Sequence, residues 1–201
     1  MKKRILNYIK NQIIKQYPNY SNDEIDEIMY GIEGLYLTIT KTIIIFTVSF
    51  ILGVTKNLLF LLLSFNIIRL FAFGIHANSS ISCLIFSSFV FLSFSIICKY
   101  VNLDYKYIIP IYLIILIIIF KFAPADTVKR PLINKKRRNT WKSLSIITVL
   151  LYFIITLICK NNNITNYLLF GLIIESILIM PITYKIFNMP YENYKNYSLN
   201  T

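Results

Sequence analysis

Long apolar runs separated by short polar stretches dominate this chain of 201 residues. A helix needs about 17 to 25 residues to cross a hydrocarbon core of about 30 Å. Six apolar runs meet that requirement, at residues 35–53, 57–73, 81–98, 107–123, 142–159 and 165–187. The polar loops between them are too short to form a soluble domain. The pattern therefore predicts an all-α polytopic membrane protein with about six transmembrane helices.

The first 34 residues have a different pattern, with two helical signals. Residues 2–17 repeat an apolar side chain every fourth position among Lys and Arg residues, which is typical of an amphipathic helix lying on a membrane surface. We interpret it as a membrane anchor, and docking of a membrane-bound partner is the alternative. Ser21 and Glu24 match the S-x-x-E capping box, which predicts a second helix that continues toward the first span.

The distribution of positive charge predicts which side of the membrane each loop faces. With alternating spans, sixteen of the 21 Lys and Arg residues fall on one side. Such a bias is typical of the cytoplasmic side, so we expect both termini in the cytoplasm. The net charge of +12 is thereby explained without nucleic acid. We expect one integral-membrane domain over residues 1–201, comprising a cytoplasmic and interfacial segment (1–34), a transmembrane bundle (35–187) and a cytoplasmic tail (188–201).

Three ionisable residues, Lys41, Arg69 and Glu175, fall inside the predicted spans. Ionisable groups at such depth usually face the protein interior and find a partner. Structural pairing is therefore the default interpretation, and Lys41 with Glu175 is one possible pair.

A polar break near residues 74–80 separates the second and third spans. One helix over residues 57–98 would be about 60 Å long, twice the hydrocarbon thickness, so the chain must turn there. Gly74 permits unusual backbone angles, and Ser80 is a good helix N-cap. If Ser80 caps the third span, Cys83 is its third helical residue. The unpaired amide hydrogens at a helix N-terminus favour a thiolate, the form that acts as a nucleophile.

The same break contains His76, the one histidine of the chain and a candidate base for the thiol. The turn allows His76 to fold back toward Cys83, so the two residues are a candidate catalytic dyad. Arg69 is a candidate for holding an oxyanion or binding a substrate carboxylate, with simple snorkelling to the headgroups as the alternative. A zinc site lacks enough ligands, and we expect neither a metal nor a cofactor. Cys98 and Cys159 are expected to be free thiols.

The motif Arg69-x-x-x-x-Gly74-x-His76-Ala77 followed by Cys83 resembles the accessory gene regulator B (AgrB) family of quorum-sensing membrane cysteine endopeptidases from Gram-positive bacteria. Further stretches of the chain fit the same family, in the same order: Tyr30-Gly31-x-Glu33, Ala123-Pro124-x-x-x-x-Lys129-Arg130-Pro131, and Gly171-x-x-x-Glu175 with Pro181 following. The resemblance covers nearly the whole chain.

The resemblance implies processing of a pheromone precursor, an AgrD-like peptide with an amphipathic leader, a central core and an acidic tail. Cys83, with His76 as base, would release the tail through a thioester, and closure of a thiolactone or lactone ring would free the cysteine. Lys129 and Arg130 would receive the acidic tail. Glu33 and Asp126 are candidates for orienting His76.

The resemblance also implies a homodimer in the cell membrane, in contact with lipids, with its active site at the cytoplasmic side. Other functions stay open. A hydrolytic membrane cysteine peptidase would release a linear peptide, whereas a peptide permease or a regulatory scaffold would need no catalysis.

Overall fold

The computed structural model describes residues 2–75, 80–101, 103–127, 132–159 and 161–195, without the side chains of residues 22, 80 and 81. This part of the chain is helical and contains no β-strand. Its helices are α1 (Lys2–Gln16), α2 (Asn22–Ile51), α3 (Thr55–Ala72), α4 (Ser80–Tyr100), α5 (Tyr105–Phe122), α6 (Lys135–Cys159), α7 (Asn162–Ile179) and α8 (Pro181–Ile186). Among these described helices, six, α2 to α7, are long and apolar enough to cross a membrane. The predicted all-α polytopic architecture is confirmed.

The chain divides into two compact units, and the smaller one, Met1–Val48, contains α1 and most of α2. The predicted capping box is present. The amide of Ser21 donates to Glu24 Oε2 over 2.8 Å, and the amide of Glu24 donates to Ser21 Oγ over 3.3 Å. From there α2 continues without interruption through the first predicted span. An ion pair of 2.7 Å between Lys10 and Asp26 connects α1 with α2.

Helix α7 lies at the centre of the larger unit, Ser49–Thr201, and packs against α3, α4, α5 and α6. Its contact with α3 is closest at Gly171, where an added Cβ would lie 2.2 Å from Ser64 Oγ and 3.0 Å from the Phe65 amide nitrogen. The Ser64 hydroxyl donates to the Tyr167 carbonyl over 2.5 Å. Glycine is therefore required at position 171, because any side chain would push the two helices apart.

Hydrogen bonds between helices also connect α5 and α6 to this core. The hydroxyls of Tyr112 in α5 and Thr156 in α6 are 3.0 Å apart, and the Tyr152 hydroxyl donates to the Ser64 carbonyl over 2.9 Å. A hydrocarbon environment contains no water to satisfy such groups, so they must find partners within the protein. These hydroxyls therefore face the core and help to hold the bundle together.

The last predicted span, residues 165–187, is wrong as a single helix. Helix α7 ends at Ile179, Met180 is extended with φ −68° and ψ 141°, and Pro181 begins α8. Proline lacks an amide hydrogen and disfavours a helical conformation in the residue before it, so the chain turns at this point. The start of the fifth predicted span also differs. Helix α6 begins at Lys135 rather than at residue 142, with a first turn of exposed basic residues.

The connection after α3 and the connection after α5 meet at one end of the larger unit. The Gly74 amide donates to the Ala125 carbonyl over 3.0 Å, and the Ala125 amide donates to the Ala72 carbonyl over 2.8 Å. These two bonds form an isolated parallel bridge between Phe73 and Ala125. The turn at residues 123–126 therefore holds the backbone that leads directly into His76.

Candidate active site

Cys83 lies at the N-terminal end of α4 and is half-buried. The sequence predicted that Cys83 is the third helical residue. The helix begins at Ser80, so Cys83 is its fourth residue, and it still belongs to the first turns. The thiol lines a cavity of about 210 Å³ between α3, α4 and α7. Apolar side chains form most of the cavity wall, with Phe65 from α3 and Ile174 from α7 among them. The cysteine thus faces a largely apolar space at the end of the bundle.

Ile75 lines the same cavity as Cys83. The next residue in the chain is His76, which lies outside the described residues, so its pairing with Cys83 stays a prediction. The described backbone before it has an unusual conformation. Phe73 has φ 62° and Gly74 has φ 103°, both in the region that favours glycine. A sharp turn thus ends α3 and directs the chain along the cavity that contains the thiol.

Arg69 lines the cavity of Cys83 and is held there by three groups of the protein itself. Its Nη1 pairs with Glu175 Oε2 over 3.0 Å. Its Nη2 donates to the Gly74 carbonyl over 3.3 Å and to the Ile75 carbonyl. The guanidinium also lies over the Phe65 ring, 5.5 Å from its centroid. The structure therefore gives Arg69 a structural task, which is to bind the two carbonyl groups that precede His76.

Gly74 is required by this arrangement. An added Cβ would lie 2.8 Å from Arg69 Nη1, 3.3 Å from Ile179 Cγ2 and 3.4 Å from Glu175 Oε1. The positive φ of Gly74 is also unfavourable for any residue with a side chain. The five-residue spacing between Arg69 and Gly74 in the sequence motif therefore has a steric explanation.

The sequence predicted a partner for Glu175 inside the protein and suggested Lys41. In the structure that partner is Arg69 instead. The Glu175 side chain has no exposed surface, and that of Arg69 is 15% exposed. A signal for this pairing exists in the sequence. Arg69 lies three residues before the end of α3, and Glu175 lies four residues before the end of α7, which runs in the same direction. The two charges thus have similar depth, although the sequence alone does not place α3 beside α7.

Asp126 binds the chain beyond α8, a role that sequence analysis did not predict. Its carboxylate accepts hydrogen bonds from the amides of Asn193 over 3.0 Å and Tyr194 over 2.7 Å. Burial raises the pKa of Asp126 above its usual value, and these two bonds, together with the nearby Arg138, oppose that shift. Both carboxylate oxygens are therefore occupied by the backbone at residues 193 and 194. Orientation of His76 by Asp126 stays a prediction.

The other predicted site residues lie elsewhere. Glu33 belongs to the smaller unit, where it pairs with Lys2 over 2.5 Å. Lys129 and Arg130 lie outside the described residues, so their binding of an acidic tail stays a prediction. Cys98 and Cys159 are free thiols, as predicted, and Cys83 is free as well.

The family model described as accessory gene regulator B matches residues 2–179 of the chain. A putative AgrB-like protein of Clostridium acetobutylicum is 32% identical over 85% of this chain and 82% of its own length. A putative AgrB-like protein of Listeria monocytogenes is 27% identical over 85% of this chain and 84% of its own length. The accessory gene regulator protein B of Staphylococcus aureus is 32% identical over 89% of this chain and 98% of its own length. No solved structure matches significantly. With a match over nearly its whole length, the chain belongs to the accessory gene regulator B family.

Proposed function

We propose that this protein is a membrane cysteine endopeptidase that removes the C-terminal tail of an AgrD-like pheromone precursor and promotes cyclisation of the remaining core. Cys83 is the nucleophile and His76 is the general base. The observation that carries the proposal is the shared cavity of about 210 Å³, which is lined both by Cys83 and by Ile75, the residue next to His76.

In the first step His76 accepts the Cys83 proton, and the thiolate attacks the carbonyl carbon between the core and the tail. The carbon–nitrogen bond then breaks, and His76 returns the proton to the departing amine. The core is left as a thioester on Cys83. A thiol or hydroxyl within the peptide attacks that thioester and loses its proton to His76. Cys83 leaves as a thiolate, and His76 then returns the proton to it.

The chemistry of the cavity suits a peptide substrate with an apolar side chain at the bond to be cleaved. Its wall includes Phe86 and Phe91 of α4 and Leu178 of α7, and apolar groups predominate over polar ones. An apolar wall also limits the access of water to the thioester. Restricted water access favours attack by a group of the peptide over hydrolysis. The apolar wall therefore supports the cyclising reaction over the hydrolytic alternative.

We assign Arg69 a positioning role in this reaction. Because Arg69 lines the cavity of Cys83, binding of an oxyanion or a substrate carboxylate stays open beside that role. Three of its contacts are made with Glu175 and with the carbonyls of Gly74 and Ile75. A guanidinium in such contacts holds the backbone ahead of the base in one conformation. Pre-organisation of the base contributes to rate because the reacting groups need not search for their geometry.

The proposal places the protein in the cell membrane, with one integral-membrane domain and its active site at the cytoplasmic side. The six membrane-spanning helices support the membrane assignment, and the bias of basic residues supports the orientation. The family supports an AgrD-like partner and a homodimer as further expectations. Lys129 and Arg130 are the proposed receptors for the acidic tail.

Mass spectrometry of the precursor peptide, incubated with the protein in liposomes, tests the proposal. The wild-type protein should release the tail and yield a core one water lighter than the linear peptide. Cys83→Ala and His76→Ala should yield neither product, whereas Cys159→Ala, a matched cysteine control at the other end of a span, should act as wild type. A linear core would support the hydrolytic alternative. An intact precursor that binds to folded protein would refute the catalytic assignment of Cys83 and favour a permease or scaffold.

A further inference from the structure

A second cavity, of about 180 Å³, lies where α5 ends and α6 begins. The turn at residues 123–126 and the chain after α8 form part of its wall. Three cationic side chains line it: Lys121 from the last turn of α5, and Arg138 and Lys142 from the first turns of α6. Cys83 does not line this cavity. The cavity is mostly polar, whereas the cavity beside Cys83 is mostly apolar.

The three cations of this cavity lie against aromatic rings. Lys121 Nζ lies 5.4 Å from the centroid of the Phe122 ring, and Lys142 Nζ lies 4.5 Å from that of Phe120. Arg138 also faces an aromatic ring. Within the described part of the chain, none of the three forms an ion pair with an acidic side chain. With Asp126 and Glu192 also in the lining, three positive charges against two negative ones leave the cavity with a net positive charge, which favours an anion.

The acidic side chains that line the same cavity already have partners. The carboxylate of Asp126 accepts the amides of Asn193 and Tyr194. The carboxylate of Glu192 pairs with Lys195 and accepts the Tyr194 hydroxyl over 3.4 Å. These acids are thus directed to the chain after α8. Arg138 acts electrostatically on the Asp126 carboxylate, so Lys121 and Lys142 are the charges most available for a bound anion.

The depth of the cavity in the bundle indicates where that anion comes from. Lys121 is the next-to-last residue of α5, at the level where a membrane-spanning helix meets the headgroups. The exposed face of α5 next to it is apolar, with Leu113, Ile117 and Phe120 each more than half exposed, at 56%, 65% and 62%. Their spacing of four and three residues places them on one side of the helix. An apolar strip therefore leads from the hydrocarbon core to the cationic cavity.

We propose that the cavity lined by Lys121, Arg138 and Lys142 binds the phosphate of an anionic phospholipid, whose acyl chains lie along the apolar strip of α5. Cationic pockets at the cytoplasmic ends of membrane helices suit phosphate headgroups, because several charge-assisted contacts converge on one group. The Cζ atom of Arg138 also lies 3.7 Å from the centroid of the Tyr194 ring, so a headgroup bound to Arg138 would lie close to the chain after α8. The bound lipid should therefore stabilise this end of the bundle.

Native mass spectrometry of the detergent-purified protein tests the proposal without any need for peptide cleavage. The protein is incubated with equal amounts of phosphatidylglycerol and phosphatidylcholine, and the bound lipids are counted. Wild type should retain phosphatidylglycerol in preference. Arg138→Gln and Lys142→Gln should each lower that preference about fivefold, as expected for the loss of about 1 kcal/mol per cation. Lys136→Gln removes the same charge from an exposed position of the same helix, outside the cavity, and should have little effect.

Thermal unfolding followed by circular dichroism separates loss of binding from loss of fold. Lys142→Gln should keep the wild-type melting temperature in phosphatidylcholine and lose the rise caused by phosphatidylglycerol. An equal effect of Lys136→Gln, or no preference in wild type, would overturn the proposal.

Two further probes distinguish other sources of the anion. Inorganic phosphate alone should cause no rise in melting temperature, and a rise that depends on Arg138 would assign the cavity to free phosphate. An acidic pentapeptide, Glu-Glu-Ala-Glu-Glu with blocked ends, should not displace phosphatidylglycerol. Equal displacement of the lipid from wild type and from Lys136→Gln would assign the cavity to an acidic peptide and overturn the lipid proposal.

Discussion

The ion pair between Arg69 and Glu175 joins α3 to α7, and loss of one partner should destabilise the protein strongly. The Glu175 side chain is fully buried, and its Oε1 atom has no hydrogen-bond partner among the described residues. The carboxylate therefore depends on Arg69 for its stabilisation, and Arg69 depends on it for a countercharge. Removal of one member of a buried pair costs about 3–5 kcal/mol. We expect Glu175→Gln to lower the free energy of unfolding by about 3 kcal/mol.

Unfolding by sodium dodecyl sulfate in mixed micelles, followed by circular dichroism, measures this loss. The matched control is Glu33→Gln, which breaks an ion pair with Lys2 whose side chains are 44% and 40% exposed. Exposed pairs contribute about 0–1 kcal/mol, so the control should unfold close to wild type. The comparison isolates the effect of burial because the chemical change is the same.

A double variant, Arg69→Met with Glu175→Leu, separates stability from positioning. Replacement of both charges by apolar side chains is often neutral, so much of the lost stability should return. The carbonyls of Gly74 and Ile75 lose their donor all the same. Peptide cleavage, measured at a temperature where the double variant is folded, should therefore stay at least about tenfold below wild type.

Two results would refute this reasoning. If the free energy of unfolding of Glu175→Gln lies within about 1 kcal/mol of the values for wild type and Glu33→Gln, a buried ion pair of this strength is contradicted. A stable double variant that cleaves the precursor at the wild-type rate would show that Arg69 does not position the segment ahead of His76.

Further predictions concern the two close helix contacts and the buried carboxyl at the end of the bundle. Gly74→Ala should lower the free energy of unfolding by about 1–3 kcal/mol and abolish cleavage, because residue 74 has φ 103° and an added Cβ would meet the Arg69 guanidinium. Gly34→Ala is the control, because the space around its Cβ is open. It should be neutral or slightly stabilising in the same unfolding assay. Gly171→Ala should cost about 1–3 kcal/mol, since its Cβ would lie 2.2 Å from Ser64 Oγ; an unfolding curve that matches Gly34→Ala would contradict the close packing. Asp126→Asn should weaken the pH dependence of stability. Burial raises the folded-state pKa of this carboxyl above its unfolded value, so wild type should gain stability as the pH falls through that raised pKa, and a variant with an unchanged pH profile would contradict this.

Much of the architecture follows from the sequence because hydrocarbon allows few alternatives. Backbone groups in a membrane must be hydrogen-bonded within the chain, so an apolar run of sufficient length becomes a helix. Helices α3, α4 and α5 therefore lie within a few residues of their predicted spans. The break at Pro181 was visible in the sequence as well. Hydropathy alone does not detect this break, because the apolar run continues across Met180 and Pro181 while the helical backbone does not.

The sequence by itself determined the membrane-spanning helices, the capping box at Ser21 and the candidate pair of Cys83 and His76, because each depends on neighbouring residues or on hydropathy. Only the tertiary structure decided which distant groups meet. It paired Glu175 with Arg69, placed the turn at residues 123–126 beside Gly74, and directed Asp126 to the chain after α8. The physical reason is that the depth of a charge in the membrane can be estimated from its position in a span, whereas its neighbour depends on which helices pack side by side. In this bundle that choice is made at Gly171, where the absence of a side chain lets α7 approach α3.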